Sequence, residues 1–78
     1  MLKELLLEIA RGLVDDKDAV SVTVDEPNEE GVTVYHLTVA DADTGRVIGK
    51  QGRIAKAIRV LMRSAAIRED QHIQVEID

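Results

Sequence analysis

Apolar positions mark out the elements before any other property is considered. Leu2, Leu5, Leu6, Ile9 and Leu13 recur at helical spacing, which predicts an amphipathic helix over residues 2–14. The polar run Asp15-Asp16-Lys17-Asp18 ends it as a loop. Val20, Val22 and Val24 alternate with Ser21, Thr23 and Asp25, the pattern of a strand with one buried face. Glu26 to Gly31 is a turn cluster, in which Pro27 fixes φ and Gly31 permits a positive one. Residues 32–40 make a second strand, antiparallel to the first, with Tyr35, Leu37 and Val39 on one face and Val34, His36 and Thr38 on the other.

The second half reads as two helices and a strand. Asp41 is placed to cap a short helix over about 42–48, and Gly49-Lys50-Gln51-Gly52 interrupts it. A longer helix follows over about 53–67. At 100° per residue Ile54, Ile58, Leu61 and Ala65 share one arc, while Lys56, Arg59 and Arg63 share another. Ile73, Val75 and Ile77 then alternate with His72, Gln74 and Glu76 as a third strand. The order is α-β-β-α-α-β. Every strand has one apolar face, so the expected architecture is α+β in two layers, a three-stranded sheet with the helices on one face. The helical crossover permits a parallel pairing of strands two and three.

Composition narrows the class. Seventy-eight residues of 8.6 kDa allow one domain. Tyr35 is the only aromatic, so the core is aliphatic. The absence of Cys excludes disulfides and Cys-ligated zinc. No apolar run approaches the roughly 18 residues of a membrane span. The start, Met1-Leu2-Lys3-Glu4, lacks the pattern of a signal peptide, so a cytoplasmic protein is expected. A core this small is only marginally stabilising, so pairing with another chain would help.

Charge changes the picture most. The net charge of −5 argues at first against a nucleic-acid partner. Residues 1–40 hold three basic and nine acidic side chains, net −6, whereas residues 41–78 hold seven and six, net +1. All seven basic residues of the second half lie between Arg46 and Arg68, a window with no Asp or Glu. Such a stripe is commonly no more than a solvated helix face. The glycine pair inside it points further. Glycine lacks a Cβ, so another backbone can approach, and a helix beginning at Gly52 would aim free amides and the positive end of its dipole outward, an anion site. Lys50 lies in the loop, Arg46 and Arg53 flank it, and Val47, Ile48 and Ile54 supply aliphatic surface. A charged rail beside an apolar floor suits a single strand of nucleic acid.

The combination of Val47-Ile48-Gly49-Lys50-Gln51-Gly52-Arg53-Ile54 with the α-β-β-α-α-β order resembles the KH domain of type II topology, specifically the small bacterial single-KH RNA-binding proteins. The resemblance covers essentially the whole chain, with a KH core at about 30–78 behind the N-terminal helix. It implies a GXXG loop that clamps about four nucleotides of single-stranded RNA. Gly49, Lys50, Gln51 and Gly52 would form the clamp. Arg46, Val47, Ile48 and Ile54 would line the groove, with Arg53 and Lys56 beside it. It further implies an RNA chaperone acting as a post-transcriptional regulator, tied to cell shape and cell-wall homeostasis, with a second KH protein as partner and self-association into a dimer.

Other chemistries fit less well. A phosphate-binding P-loop needs four residues between its glycines and Ser or Thr after the Lys; here there are three, and Gln51 follows Lys50. A calcium loop counted from Asp41 ends on Gly52 where a Glu is needed. His36 and His72 fall on the less apolar strand faces, and nothing sets a base beside Ser21 or Ser64. No catalytic residue, metal, cofactor, small-molecule substrate or membrane partner is expected. The competing functional class is a protein-interaction or dimerisation module with a KH-like fold and little RNA binding. The net charge and the sheet-face valines Val32 and Val34 favour it.

Overall fold

The computed structural model describes residues 2–77, apart from the side chains of Arg46, Lys50 and Gln51. Helix α1 (Leu2–Arg11) buries Leu2, Leu6 and Ala10, spaced four apart on one face. It stops three residues earlier than its apolar pattern predicts. The Gly12 amide still bonds the Glu8 carbonyl at 3.1 Å, but the Leu13 amide bonds Ala10 at 3.0 Å, so the last turn tightens and the chain leaves the helix. Val14 nevertheless reaches the core. A single 3₁₀ turn (Lys17–Ala19) leads into strand β1 (Ser21–Val24).

Strand β1 pairs antiparallel with β2 (Thr33–Thr38), setting Val22 opposite Leu37 and Thr23 opposite His36. Their turn is built on Asn28. Its side-chain oxygen accepts from the Glu30 and Val32 amides at 2.9 and 3.0 Å, and Gly31 takes φ +79°. Strand β3 (Ile73–Ile77) lies parallel to β2, with Tyr35 opposite Val75, in the order β1-β2-β3. Val22, Tyr35, Leu37 and Val75 share the inward face and join Leu6, Ile58 and Met62 in one core. The helices therefore cover one side of the sheet. On the other side Val34, His36 and Gln74 stand only partly covered or exposed, and His36 Nε2 meets Asp25 Oδ2 at 2.8 Å.

Helix α2 spans Asp41–Arg68, 28 residues in which two separate helices were expected. A straight helix of that length would run about 42 Å. The longest principal extent of the molecule is 34 Å. The helix must bend, and the backbone shows where: Gly52 sits at φ +69°, left-handed inside a right-handed run. The expected four-residue interruption is thus a one-residue reversal, with an arm on each side. On the longer arm the buried residues are Ala55, Ile58, Met62 and Ala66. Ile54 and Ala65 pack at the margin of the core, and Leu61, expected inside, is 54% exposed. The arc is turned from the one predicted, because the direction of the arm past Gly52 decides which apolar flank meets the sheet.

The end of α2 is closed by its own backbone. The Gln71 amide bonds the Ala66 carbonyl at 2.9 Å and the Asp70 amide bonds Ile67 at 3.1 Å, with Asp70 at φ +58°. This is a Schellman closure with Asp in the place usually held by glycine.

Candidate nucleic-acid interface

The first arm of α2 is anchored differently from the way its sequence suggests. The capping position is Ala40, and Asp41, expected to cap, is the exposed first residue of the helix. The Asp43 amide bonds the Ala40 carbonyl at 2.8 Å, and Thr44 Oγ1 donates to the same carbonyl at 3.2 Å. Asp43 itself is 3% exposed. Its two oxygens accept from the Asp15 and Asp16 amides at 3.2 and 3.1 Å, tying the loop after α1 to the base of the arm. The sequence offers Asp43 only as a hint, with Asp41 and Gly45, of a calcium loop, and not as a buried anchor. The available signal was its spacing, since Asp43 and Val47 are four apart and share the inward face.

Val47 is 1% exposed and belongs to the core. It fastens the arm to the body and does not line an open groove, which corrects one assignment made from sequence. Ile48, by contrast, is an exposed aliphatic surface before the bend. Gly49 and Gly52 are half-buried, and a Cβ built on either would meet nothing within 4 Å. Only Gly52 is left-handed, so the two glycines differ in kind. Arg53 and Lys56 are exposed, and Ile54 is half-buried against the core. The side chains of Arg46, Lys50 and Gln51 lie outside the described residues.

The basic stripe continues further than the glycine segment. Lys56, Arg59 and Arg63 fall within about 60° of one another around the second arm. Arg59 Nε donates to the Val75 carbonyl at 3.3 Å, which holds its guanidinium against β3. Between this arm and β3 opens a cavity of about 470 Å³. Val32, Ile73 and Val75 give it apolar lining, while Arg59, Arg63, Gln74 and Glu76 give it polar groups. The β3 side of this cavity was not foreseen. The helical arc pointed to Arg59 and Arg63, but only the packing of α2 on the sheet shows what they face.

The bend, the open space over Gly49 and Gly52, the exposed cations and the lined cavity form a continuous sequence along α2. Chemically they offer anion contacts at one end and hydrogen-bonding groups over an apolar lining at the other. Among the described residues no cluster of three or more His, Cys, Asp or Glu could hold a metal ion, and no helix is long and apolar enough to cross a membrane.

Comparison with known proteins gives a consistent picture. The family model for the KhpA/KhpB KH domain matches residues 3–77. The chain is 49% identical over 76 residues to the RNA-binding protein KhpA of Clostridium acetobutylicum, covering 97% of this chain and 99% of that one. It is 45% identical over 76 residues to the RNA-binding protein KhpA of Listeria monocytogenes, covering 97% of each. Among solved structures it is similar to Era of Aquifex aeolicus bound to GDP and aluminium fluoride, with a TM-score of 0.68 at 19% identity, over 97% of this chain and 29% of that one. It is equally similar, at a TM-score of 0.68 and 19% identity, to Era in complex with MgGDPNP and nucleotides 1506–1542 of 16S ribosomal RNA, covering 97% of this chain and 28% of that one. At such identity the likeness to Era is one of fold.

Proposed function

The chain belongs to the KhpA/KhpB family of KH domains, and from that premise we propose that it binds single-stranded RNA along α2. The observation that carries this reading is the left-handed Gly52 at the bend of a helix whose flanking surface is open and whose exposed arc is basic. The relatives' description as RNA-binding proteins supports it.

In this reading Gly49-Lys50-Gln51-Gly52 is the clamp. The phosphates approach the glycine backbone, where a side chain would stand in their way. Arg46, Arg53 and Lys56 supply positive charge along the path. Ile48 and Ile54 offer aliphatic surface to base faces, and the cavity beside Arg59 receives the strand further along. The KH core is residues 30–78, with α1 packed behind it. The protein acts in the cytoplasm as an RNA chaperone and post-transcriptional regulator and catalyses no reaction. A KhpB-like KH protein is its natural partner, and the chain can also pair with itself. One weak site becomes effective when a second is tethered to it.

Replacing Gly49 and Gly52 together by Asp places negative charge at the clamp. RNA binding is expected to be lost in filter-binding or anisotropy titrations, with helix content by circular dichroism near that of the unaltered protein. Undiminished RNA affinity in the folded double variant would remove the clamp from consideration. A second reading, a dimerisation or interaction module with little RNA binding, draws on the exposed Val60, Leu61 and Ile67 of the second arm. Crosslinking in cells separates the two, because that module would be recovered without RNA.

A further inference from the structure

The two edges of the sheet are closed differently. In the order β1-β2-β3 the outer side of β3 lies beside α2, where Arg59 Nε donates to the Val75 carbonyl at 3.3 Å. The outer side of β1 is open. The Asp25 amide bonds the Val34 carbonyl at 3.0 Å, and the same register sets Thr23 opposite His36 and Ser21 opposite Thr38. The alternation of an antiparallel ladder then turns the amides and carbonyls of Val22 and Val24 away from β2, toward the free edge. Among the described residues none bonds them on that side. We propose that this edge takes up an extended basic segment of a partner protein as an added strand.

The strand itself is unguarded. Ser21-Val22-Thr23-Val24 holds no charge and no Pro, and its pairing with β2 runs without a bulge. Extended backbone begins at Val20, with φ −76° and ψ 127°, and the ladder continues through Asp25. Val24 is 43% exposed and offers an apolar contact to alternate side chains of an added strand. The charge around the edge selects the occupant. Residues 15–30 carry seven acids and one Lys, net −6, in a protein of net −5. Asp15, Asp16 and Asp18 stand before the strand and four acids over 25–30 stand after it, all exposed. A nucleic-acid strand is repelled there. A second copy adding its own β1 antiparallel would set the acids before one strand against those after the other, which like charges oppose. A segment with Lys or Arg on both sides of a short β-forming stretch matches both ends of the edge.

The test uses the whole protein and a fluorescently labelled peptide, acetyl-Lys-Lys-Val-Thr-Val-Lys-Lys-amide. Saturable binding is expected by anisotropy, weakening as salt rises. At saturation the Val22 and Val24 amides are expected to exchange with solvent about tenfold more slowly, while those of Thr23 and Asp25, already paired, change little. The peptide with Glu in place of every Lys is expected not to bind. The peptide N-methylated at every residue keeps its charge and loses its donors, and should bind at least about tenfold more weakly. Val24→Pro removes one edge-facing amide and no ladder bond, so it should fold and lose about tenfold in peptide affinity. Its RNA affinity should hold, since α2 borders the other edge. Absence of binding by the basic peptide would overturn the proposal. So would equal binding of its N-methylated form, because diffuse charge would then be the whole attraction. Slowing of the Val22 and Val24 amides with protein concentration, in the absence of peptide, would assign the edge to a second copy and overturn the basic segment. The peptide series needs no substitution in the protein, so the test stands even where Val24→Pro fails to fold.

Discussion

Two residues carry conformational or electrostatic costs that can be measured singly. Asp70 holds a left-handed conformation at the end of α2, a place where a side chain costs up to about 1–2 kcal/mol relative to glycine, with Asp and Asn at the low end of that cost. Its carboxylate also sits at the negative end of the helix dipole, next to Glu69. Asp70→Gly relieves both effects and gives back part of the gain through the extra freedom of glycine in the unfolded chain. A net stabilisation of about 0.5–1 kcal/mol is expected in urea denaturation, with Asp70→Asn falling between. Tyr35 is the other case. Burial raises its phenol above the ordinary range, and the negative charges of Glu69 and Glu4 add to the effect. The neutral phenol is thus the form the fold favours. Its contribution to stability is complete below the unfolded value of about 10 and is lost as pH rises through the higher folded value. Phenolate absorbance is expected to rise at a pH above that of free tyrosine, together with loss of helix signal. The single Tyr and absent Trp make the readout clean.

The elements were legible in the sequence wherever one period dominated. Strand alternation was enough to place Tyr35 and Leu37 inward and to pair β1 with β2 antiparallel. For α2 it was not enough. Leu61 and Met62 are adjacent and both apolar, so periodicity cannot say which faces the sheet. The left-handed Gly52 resets the phase of the second arm, and only its docking decides for Met62. Asp43 was hidden for a related reason: a carboxylate reads as surface until the amides of Asp15 and Asp16 arrive from a distant loop. In the candidate site the glycines were visible by spacing, but their difference was not. Gly49 lies in right-handed helix with open space where a Cβ would go, so Gly49→Ala should stabilise by about 0.5–1 kcal/mol. Gly52→Ala must hold φ +69° and should destabilise by about 1–2 kcal/mol. Thermal unfolding of the two single variants reads the contrast directly. Equal effects of the same sign would mean that the bend of α2 does not depend on Gly52.

At the scale of the whole molecule, an acidic protein with a basic arc faces opposing fields. The net charge of −5 repels a polyanion at long range. The acidic residues Asp25, Glu26, Glu29 and Glu30 are exposed around the β1–β2 turn, whereas Arg53, Lys56, Arg59 and Arg63 belong to α2. Salt distinguishes these contributions, because the slope of log K against log[salt] counts phosphates neutralised at contact and not the charge of the protein as a whole. Three or four contacts along α2 give an expected slope of roughly −2 to −3 on single-stranded RNA. Lys56→Gln, which removes one exposed contact, should reduce the magnitude of that slope by about 0.7. Glu29→Gln changes the net charge by the same amount in the opposite direction. It should tighten binding somewhat at low salt through the long-range field, yet leave the contact count unaltered. If Glu29→Gln moved the slope as far as Lys56→Gln, binding would be governed by the diffuse charge of the protein, and the arc on α2 would have no special part in it.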